Sequence, residues 1–290
     1  MGHDSSAFHQ LRHLSATEFP DSSTCPDLTG SGQALNPLGS ALAKFRSLRD
    51  DTESAPSHIE IRISLGAVVS QHGKSPARIF LMLRQVIPEI LDSLSAEDPA
   101  AIRSRKDLRR LNFVMGNDRW IRSIITKHTE PASKGILEIG AGEGDLLKTL
   151  ASLGPVHGLD LLTGPDDSGL TWHQADLMDL EELPKGGILI ANLFLHHFED
   201  EALKKIGSLC RPFEVLVFSE PLRSRRILNL SRCITPLVGS VTRHDMPVSI
   251  RAGFTMGEIP DSLGLNKTDW HLEESKTALG AIRLVARKKP

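Results

Sequence analysis

From residue 132 onward, short apolar runs and helical periods take turns along the chain. Ile136, Leu137 and Ile139 form the kind of run found in a strand buried on both faces of a parallel sheet. Glycines at 140, 142 and 144 then turn the chain. Leu146, Leu147, Leu150 and Leu153 follow on one helical face, and Gly154-Pro155 stops the helix. Asp145 is predicted to cap its start. Residues 156–160, 172–176, 188–192 and 215–218 read as four further strands, and Ala202, Leu203, Ile206 and Leu209 recur at helical spacing between the last two. This alternation predicts an α/β fold: a doubly wound, mostly parallel sheet with helices on both faces. A helix at 258–263 and strands at 269–272 and 281–286 are expected to close it.

The first half of the chain has a different texture. Residues 1–56 are rich in Ser, Thr, Asp, Gly and Pro, show little periodicity and are expected to be mostly disordered. Residues 57–130 are expected to form an accessory, mainly helical segment. Within it Ile59, Ile61, Ile63 and Leu65 alternate as in a strand, and Ile79, Leu83, Val86 and Ile90 mark one face of a helix over 77–94 that Pro88 should kink. Residues 98–129 carry a basic run, Arg103 to Arg122, with Leu108, Leu111 and Ile121 facing inward. The domain proper is expected over 131–290. Its one long insertion, 222–254, leaves from the carboxyl end of the fifth strand, where an open parallel sheet has its ligand crevice.

Composition narrows the class. At 290 residues, with 40% hydrophobic and 24% charged residues, the chain can hold one full domain and a smaller one. A net charge of −2 exerts no general pull on nucleic acid, and no nucleic-acid partner is expected. Cys25, Cys210 and Cys233 are few, odd in number and widely spaced, so no metal is expected and a reducing, cytoplasmic location is. No apolar run approaches the ~20 residues of a membrane span, and the N-terminus lacks the basic and apolar regions of a signal peptide. Tyrosine is absent, which removes one common acid or base.

A strand, glycine loop and helix in succession serve nucleotide cofactors, because glycine lets the backbone approach a ligand and the helix N-terminus faces it. A dinucleotide fingerprint would need Gly or Ala at 145, where this chain has Asp, and Glu143 and Asp145 would crowd a pyrophosphate with like charge. S-adenosylmethionine (SAM) has no phosphate and carries an ammonium and a sulfonium, which Glu138 would favour. Asp160 ends the second strand 20 residues after Gly140, the position from which a carboxylate reaches a ribose diol, and Asp176 ends the third.

The Leu137-Glu-Ile-Gly-Ala-Gly-Glu-Gly144 loop, Asp160, the Ala175-Asp176-Leu177 step and Asn192-Leu-Phe-Leu-His-His-Phe198 together resemble the class I SAM-dependent methyltransferases. The match covers about 132–287 and is most similar to the small-molecule branch near quinone and polyketide pathways. The resemblance implies that Glu138, Gly140, Ala141, Gly142 and Gly144 hold the methionine end of SAM, Asp160 and Leu161 the ribose, and Asp176 with the Leu177 backbone the adenine. Asn192, where many relatives carry Asp, completes the set. It also implies that helices before the loop close over the cofactor, with Asn112, Trp120 or an arginine contributing, and that the last two strands form an antiparallel edge hairpin.

The expected reaction is methyl transfer to oxygen or carbon of a small, lipophilic acceptor. Such a displacement needs a base only if the nucleophile must lose a proton, and His196, His197 and His244 are the candidates, with Asp245 not expected to orient its neighbour His244. An RNA or protein methyltransferase and a SAM-binding module without turnover stand as alternatives, as does a nicotinamide-dependent oxidoreductase. In the insertion, Ile227, Leu230, Ile234 and Leu237 recur at helical spacing beside Arg223, Arg225, Arg226 and Arg232. Such a stripe packs on the core, lines the acceptor pocket or makes transient contact with a membrane surface. The oligomeric state is left open.

Overall fold

The computed structural model describes residues 82–165 and 169–290. The segment 1–56, the predicted strand at 59–65 and the start of the predicted 77–94 helix lie outside these residues.

Five parallel strands, β1 (Ile136–Ile139), β2 (Val156–Asp160), β3 (Thr171–Gln174), β4 (Ile188–Asn192) and β5 (Val215–Pro221), join an antiparallel pair, β6 (Trp270–Lys276) and β7 (Ala281–Lys288). They lie in one sheet in the order β3-β2-β1-β4-β5-β7-β6. β7 runs antiparallel between β5 and β6, so the predicted C-terminal hairpin is present, with β6 at the edge.

Side chains alternate across the sheet and build a core on each face. Leu137, Ile139, Leu189, Leu216 and Phe218 pack with Leu203 and Ile206 of the helix Asp200–Cys210. Ile136, Ile188, Ile190, Val215 and Val217 pack the other way, against Ile121, Ile125, Leu146 and Leu147. β1 and β4 are apolar at nearly every position because both of their faces are covered.

Among the described residues the helices are, in chain order, α1 (Ile90–Ser93), α2 (Pro99–Met115), α3 (Asn117–Ile125), α4 (Thr129–Ser133), α5 (Asp145–Leu150), α6 (Asp200–Cys210), α7 (Arg225–Ile234), α8 (Ser240–Ala252) and α9 (Glu258–Leu263). α2 starts where Asp98 accepts from the Ala100 N–H at 2.7 Å with Pro99 in the first turn, and it ends at left-handed Gly116. Gly116 also opens α3, so the basic segment folds as two helices joined by a sharp corner. Of its three predicted inward residues, Ile121 is fully buried and Leu108 and Leu111 are half-buried.

Three expectations change. Residues 82–89 form no helix, and only one helical turn, α1, follows. Pro88 cannot donate inside a helix, and the backbone here finds tertiary partners instead: Gln85 N–H donates to the Arg251 carbonyl, and Ile90 and Leu91 N–H donate to the Asp245 carboxylate at 2.9 and 3.0 Å. Leu83 and Ile87 are half-exposed and form no buried helix face. Gly144, not Asp145, is the cap residue of α5; Asp145 is its first residue and makes no capping bond. The insertion is two helices, α7 and α8, and the expected apolar stripe breaks where α7 stops at Ile234, leaving Leu237 exposed.

Candidate functional site

The glycine loop bends because Gly140, Gly142 and Gly144 all have φ between 56° and 71°, the left-handed region. At Gly140 there is a second reason: a Cβ would lie 2.1 Å from the Phe194 ring. At Gly142 a Cβ would meet nothing within 4 Å, so the loop opens onto free space there. The Gly142 N–H is held by Asp160, whose other carboxylate oxygen takes the Leu162 N–H, each within 2.9 Å. Asp176 accepts from Met178 N–H at 2.8 Å and caps a 3₁₀ turn at Leu177–Asp179, with Leu177 buried. Ala141 is buried and Leu161 exposed.

Glu143 and Asp145 do not stand as bare charges. Arg105 pairs with Glu143 at 3.0 Å, and Arg109 binds both Glu143 and Asp145. Helix α2 therefore neutralises the loop, and repulsion of a pyrophosphate loses much of its weight as a reason to exclude a dinucleotide.

The most telling feature lies beside the loop. Among the described residues six buried side-chain polar atoms have no partner, and five of them belong to Glu138, Asn192, Ser219, Arg283 and Asn117. Strand register explains the grouping. Glu138 pairs with Ile190, Asn192 lies two residues further along β4 on the same face, Asn192 pairs with Ser219, and Ser219 pairs with Arg283. Asn117, at the start of α3, accepts from Arg283 at 3.1 Å. Asn112 of α2 binds Asn192 at 3.4 Å and Asp118 at 2.5 Å, and the Arg283 guanidinium lies over Trp120. Buried polar groups in folded proteins are almost always satisfied, so a concentration of unsatisfied ones marks a place for water or ligand. Burial, with Asp118, Asp160 and Asp145 adding negative charge, raises the Glu138 carboxyl well above the usual range. Of this group only Glu138 and Asn192 were legible as site residues in the sequence. Ser219, Arg283 and Asn117 carry no local motif and are recognised only once β5, β7 and α3 meet.

In shape, this sheet is similar to the plantazolicin methyltransferase BpumL in complex with SAH, at 11% identity and a TM-score of 0.50, over 67% of this chain and 92% of that one. The BpumL complex with a pentazolic desmethylPZN analog and SAH gives 10% identity and 0.51 over the same shares. The chain shares the fold of these solved methyltransferases. No family model and no curated protein matches the sequence.

In this fold the turn after β4 is built by Glu220. Its fully buried carboxylate accepts from Phe194 and Leu195 N–H at 3.0 and 2.8 Å and from His196 N–H at 3.3 Å. That grip holds Leu193 at φ 57°, the one positive φ outside glycine among the described residues. Glu220 also bonds His196 Nδ1 at 2.9 Å, while His196 Nε2 lies 3.6 Å from Glu89. Burial opposes the imidazolium, but the hydrogen bonds to Glu220 and Glu89 outweigh it and lift His196 to about 9. His197, half-buried, has Nδ1 3.5 Å from Asp92. His244 is 53% exposed on α8 and, contrary to expectation, is oriented by its neighbour: Nδ1 is 2.9 Å from Asp245, whose buried carboxylate can reach both the ring and the α1 amides. The structure thus brings His196 and His197 together at the strand ends and leaves His244 facing solvent. A separate cavity of about 420 Å³, lined by Leu159, His173, Ala175 and Leu183 among others, includes none of the predicted site residues.

Proposed function

We propose that this chain transfers a methyl group from SAM to a small, lipophilic acceptor. The observation that carries the reading is the set of unsatisfied buried groups at the ends of β1, β4, β5 and β7, which contains both signs of charge. The methionine end of SAM is a zwitterion beside a sulfonium. Glu138 suits its cations, and Arg283 with Asn117 suits its carboxylate. Open space at Gly142 lets the loop backbone lie against a ligand. Asp160 and Asp176 would meet the ribose and adenine, Asp160 by exchanging part of its present hold on the Leu162 amide.

When bound, SAM supplies a methyl on a sulfonium, a leaving group that asks for in-line displacement and exclusion of water. The residues around the site are suited to alignment more than to proton transfer. His196 is committed to Glu220 and Glu89, and His244 faces solvent. The acceptor is therefore read as one that is already acidic, or as a carbon nucleophile that needs no histidine base. The strap 82–93 and helix α8 would supply the cover over the strand ends.

Calorimetry with SAM and with its demethylated product tests the cofactor, and NAD should give no heat. Methyl-labelled SAM incubated with the protein and fractionated cell extract tests the acceptor, and label should appear in the small-molecule, apolar pool. Binding with no labelled product in any pool would turn the reading to a SAM-binding module. Label in RNA or protein would turn it to a macromolecular methyltransferase.

A further inference from the structure

We propose that Glu89, His196 and His197 form a binding site for a divalent transition-metal ion, with Zn²⁺ as its simplest occupant. One donor atom from each residue, a carboxylate oxygen and two ring nitrogens, lies within 4.8 Å of the others. An ion about 2.1 Å from its ligands holds them roughly 3.4 Å apart. The 3.6 Å between His196 Nε2 and Glu89 Oε1 is already the spacing of a ligand pair.

The surroundings match what orients metal-bound histidines. Each ring has a carboxylate near its Nδ1: Glu220 bonds that of His196 at 2.9 Å, and Asp92 lies 3.5 Å from that of His197. Such outer carboxylates fix the tautomer and raise the basicity of the nitrogen that faces the metal. Glu89 is itself held by the Ser249 hydroxyl of α8. Charge argues the same way. Two buried carboxylates, Glu89 and Glu220, flank one buried imidazole, so a proton there balances one negative charge and a divalent cation would balance both. The Arg84 guanidinium, which reaches the same turn, is committed to the carbonyls of His196, Phe198 and Ala252 and to Asp200. Two imidazoles and a carboxylate suit zinc or ferrous iron far better than magnesium or calcium. The ligands come from two segments, the strap and the β4 turn, so the ion would clamp the strap over the strand ends.

The test uses the full chain, stripped with a chelator and needing neither cofactor nor acceptor, so it stands apart from the methyl-transfer reading. Titration with Zn²⁺ should show one saturable site per chain, and Zn²⁺ should raise the melting temperature. His197→Ala and Glu89→Gln should each weaken that site by roughly 10-fold or more; Glu89→Gln keeps an acceptor for Ser249. X-ray absorption on the wild-type complex requires no variant and should find two imidazole ligands and oxygen. The proposal is overturned if no saturable binding appears, if both variants bind as the wild type does, or if the absorption spectrum shows a sulfur ligand or a single imidazole.

Discussion

The two ends of the site are assembled in opposite ways. The proposed cofactor side takes its backbone frame, β1 with its glycine loop and the ends of β2 and β3, from one continuous stretch whose glycine angles and strand-end caps come from residues close by in sequence, while the polar groups of Asn117, Asn192, Ser219 and Arg283 reach it from other elements. The proposed acceptor side is a composite. The strap at 82–93, the turn after β4, the end of β5 and helix α8 meet through bonds that span more than a hundred residues, such as Arg84 to Phe198 and Ile90 to Asp245. A site made of neighbours tolerates drift in the rest of the chain. One made of distant segments can change its ligand by changing any of them, which would suit the half proposed to recognise the acceptor.

The comparison breaks most sharply at Glu220, which fixes the β4 turn of the composite half. Glu220→Ala removes the acceptor for three backbone N–H groups and strands the His196 ring, so it should cost about 3–5 kcal/mol of stability, read from denaturant melts. If the loss is under about 1 kcal/mol, the β4 turn is not held by this carboxylate. Gly140→Ala strikes the glycine loop and the Phe194 ring packed on it, away from the strap. Left-handed φ and overlap with Phe194 should together cost about 2–3 kcal/mol and weaken SAM binding, while the melting of strap contacts, followed by hydrogen exchange at Ile90 and Leu91, should stay as in the wild type.

Legibility in the sequence follows the same division. Apolar runs at 136–139 and 188–192 identified strands because both sheet faces are covered, and the glycines at 140, 142 and 144 identified the loop because φ there is positive. Residues 82–93 misled. Their apolar spacing is helical, but the backbone bonds that decide the conformation come from Asp245 and Arg251, and a single-segment pattern cannot contain them. Arg283 and Ser219 were invisible for a related reason: each is an ordinary strand residue until β7 is placed beside β5. Glu143 and Asp145 were legible as charges, but not their neutralisation by Arg105 and Arg109, some forty residues earlier.

Glu138→Gln sharpens the cofactor side through pH. The folded protein raises this carboxyl above its ordinary value of 4.5, so between that value and the raised one the folded state holds a proton that the unfolded state has released. Stability should therefore fall as pH rises through this window. Gln cannot ionise, so the variant should lose that slope and be more stable than the wild type at neutral pH without ligand. SAM affinity should move the other way, weakened by about 1.5–3 kcal/mol through loss of a charge-assisted contact, and its rise with pH should vanish. Thermal melts and calorimetry across pH 5–9 read both. A variant that binds SAM as tightly as the wild type would take Glu138 out of the cofactor site.

The smallest effect is expected on the acceptor side, at His244→Ala. The ring is half-exposed and touches Asp245, but Asp245 is held independently by the N–H groups of Ile90 and Leu91, so removing the imidazole should leave the strap in place. Stability should change by no more than about 0.5 kcal/mol, the usual range for an exposed side chain away from special geometry. With an acceptor in hand, kcat should stay within about 2-fold of the wild type, because a base that faces solvent from α8 is not aligned with the strand ends. General base catalysis is worth roughly 100-fold or more, so the two outcomes are easily told apart. A loss of that size at unchanged SAM affinity would mean that α8 turns its outer face to the acceptor during turnover, and the strap would then be the part that moves to allow it.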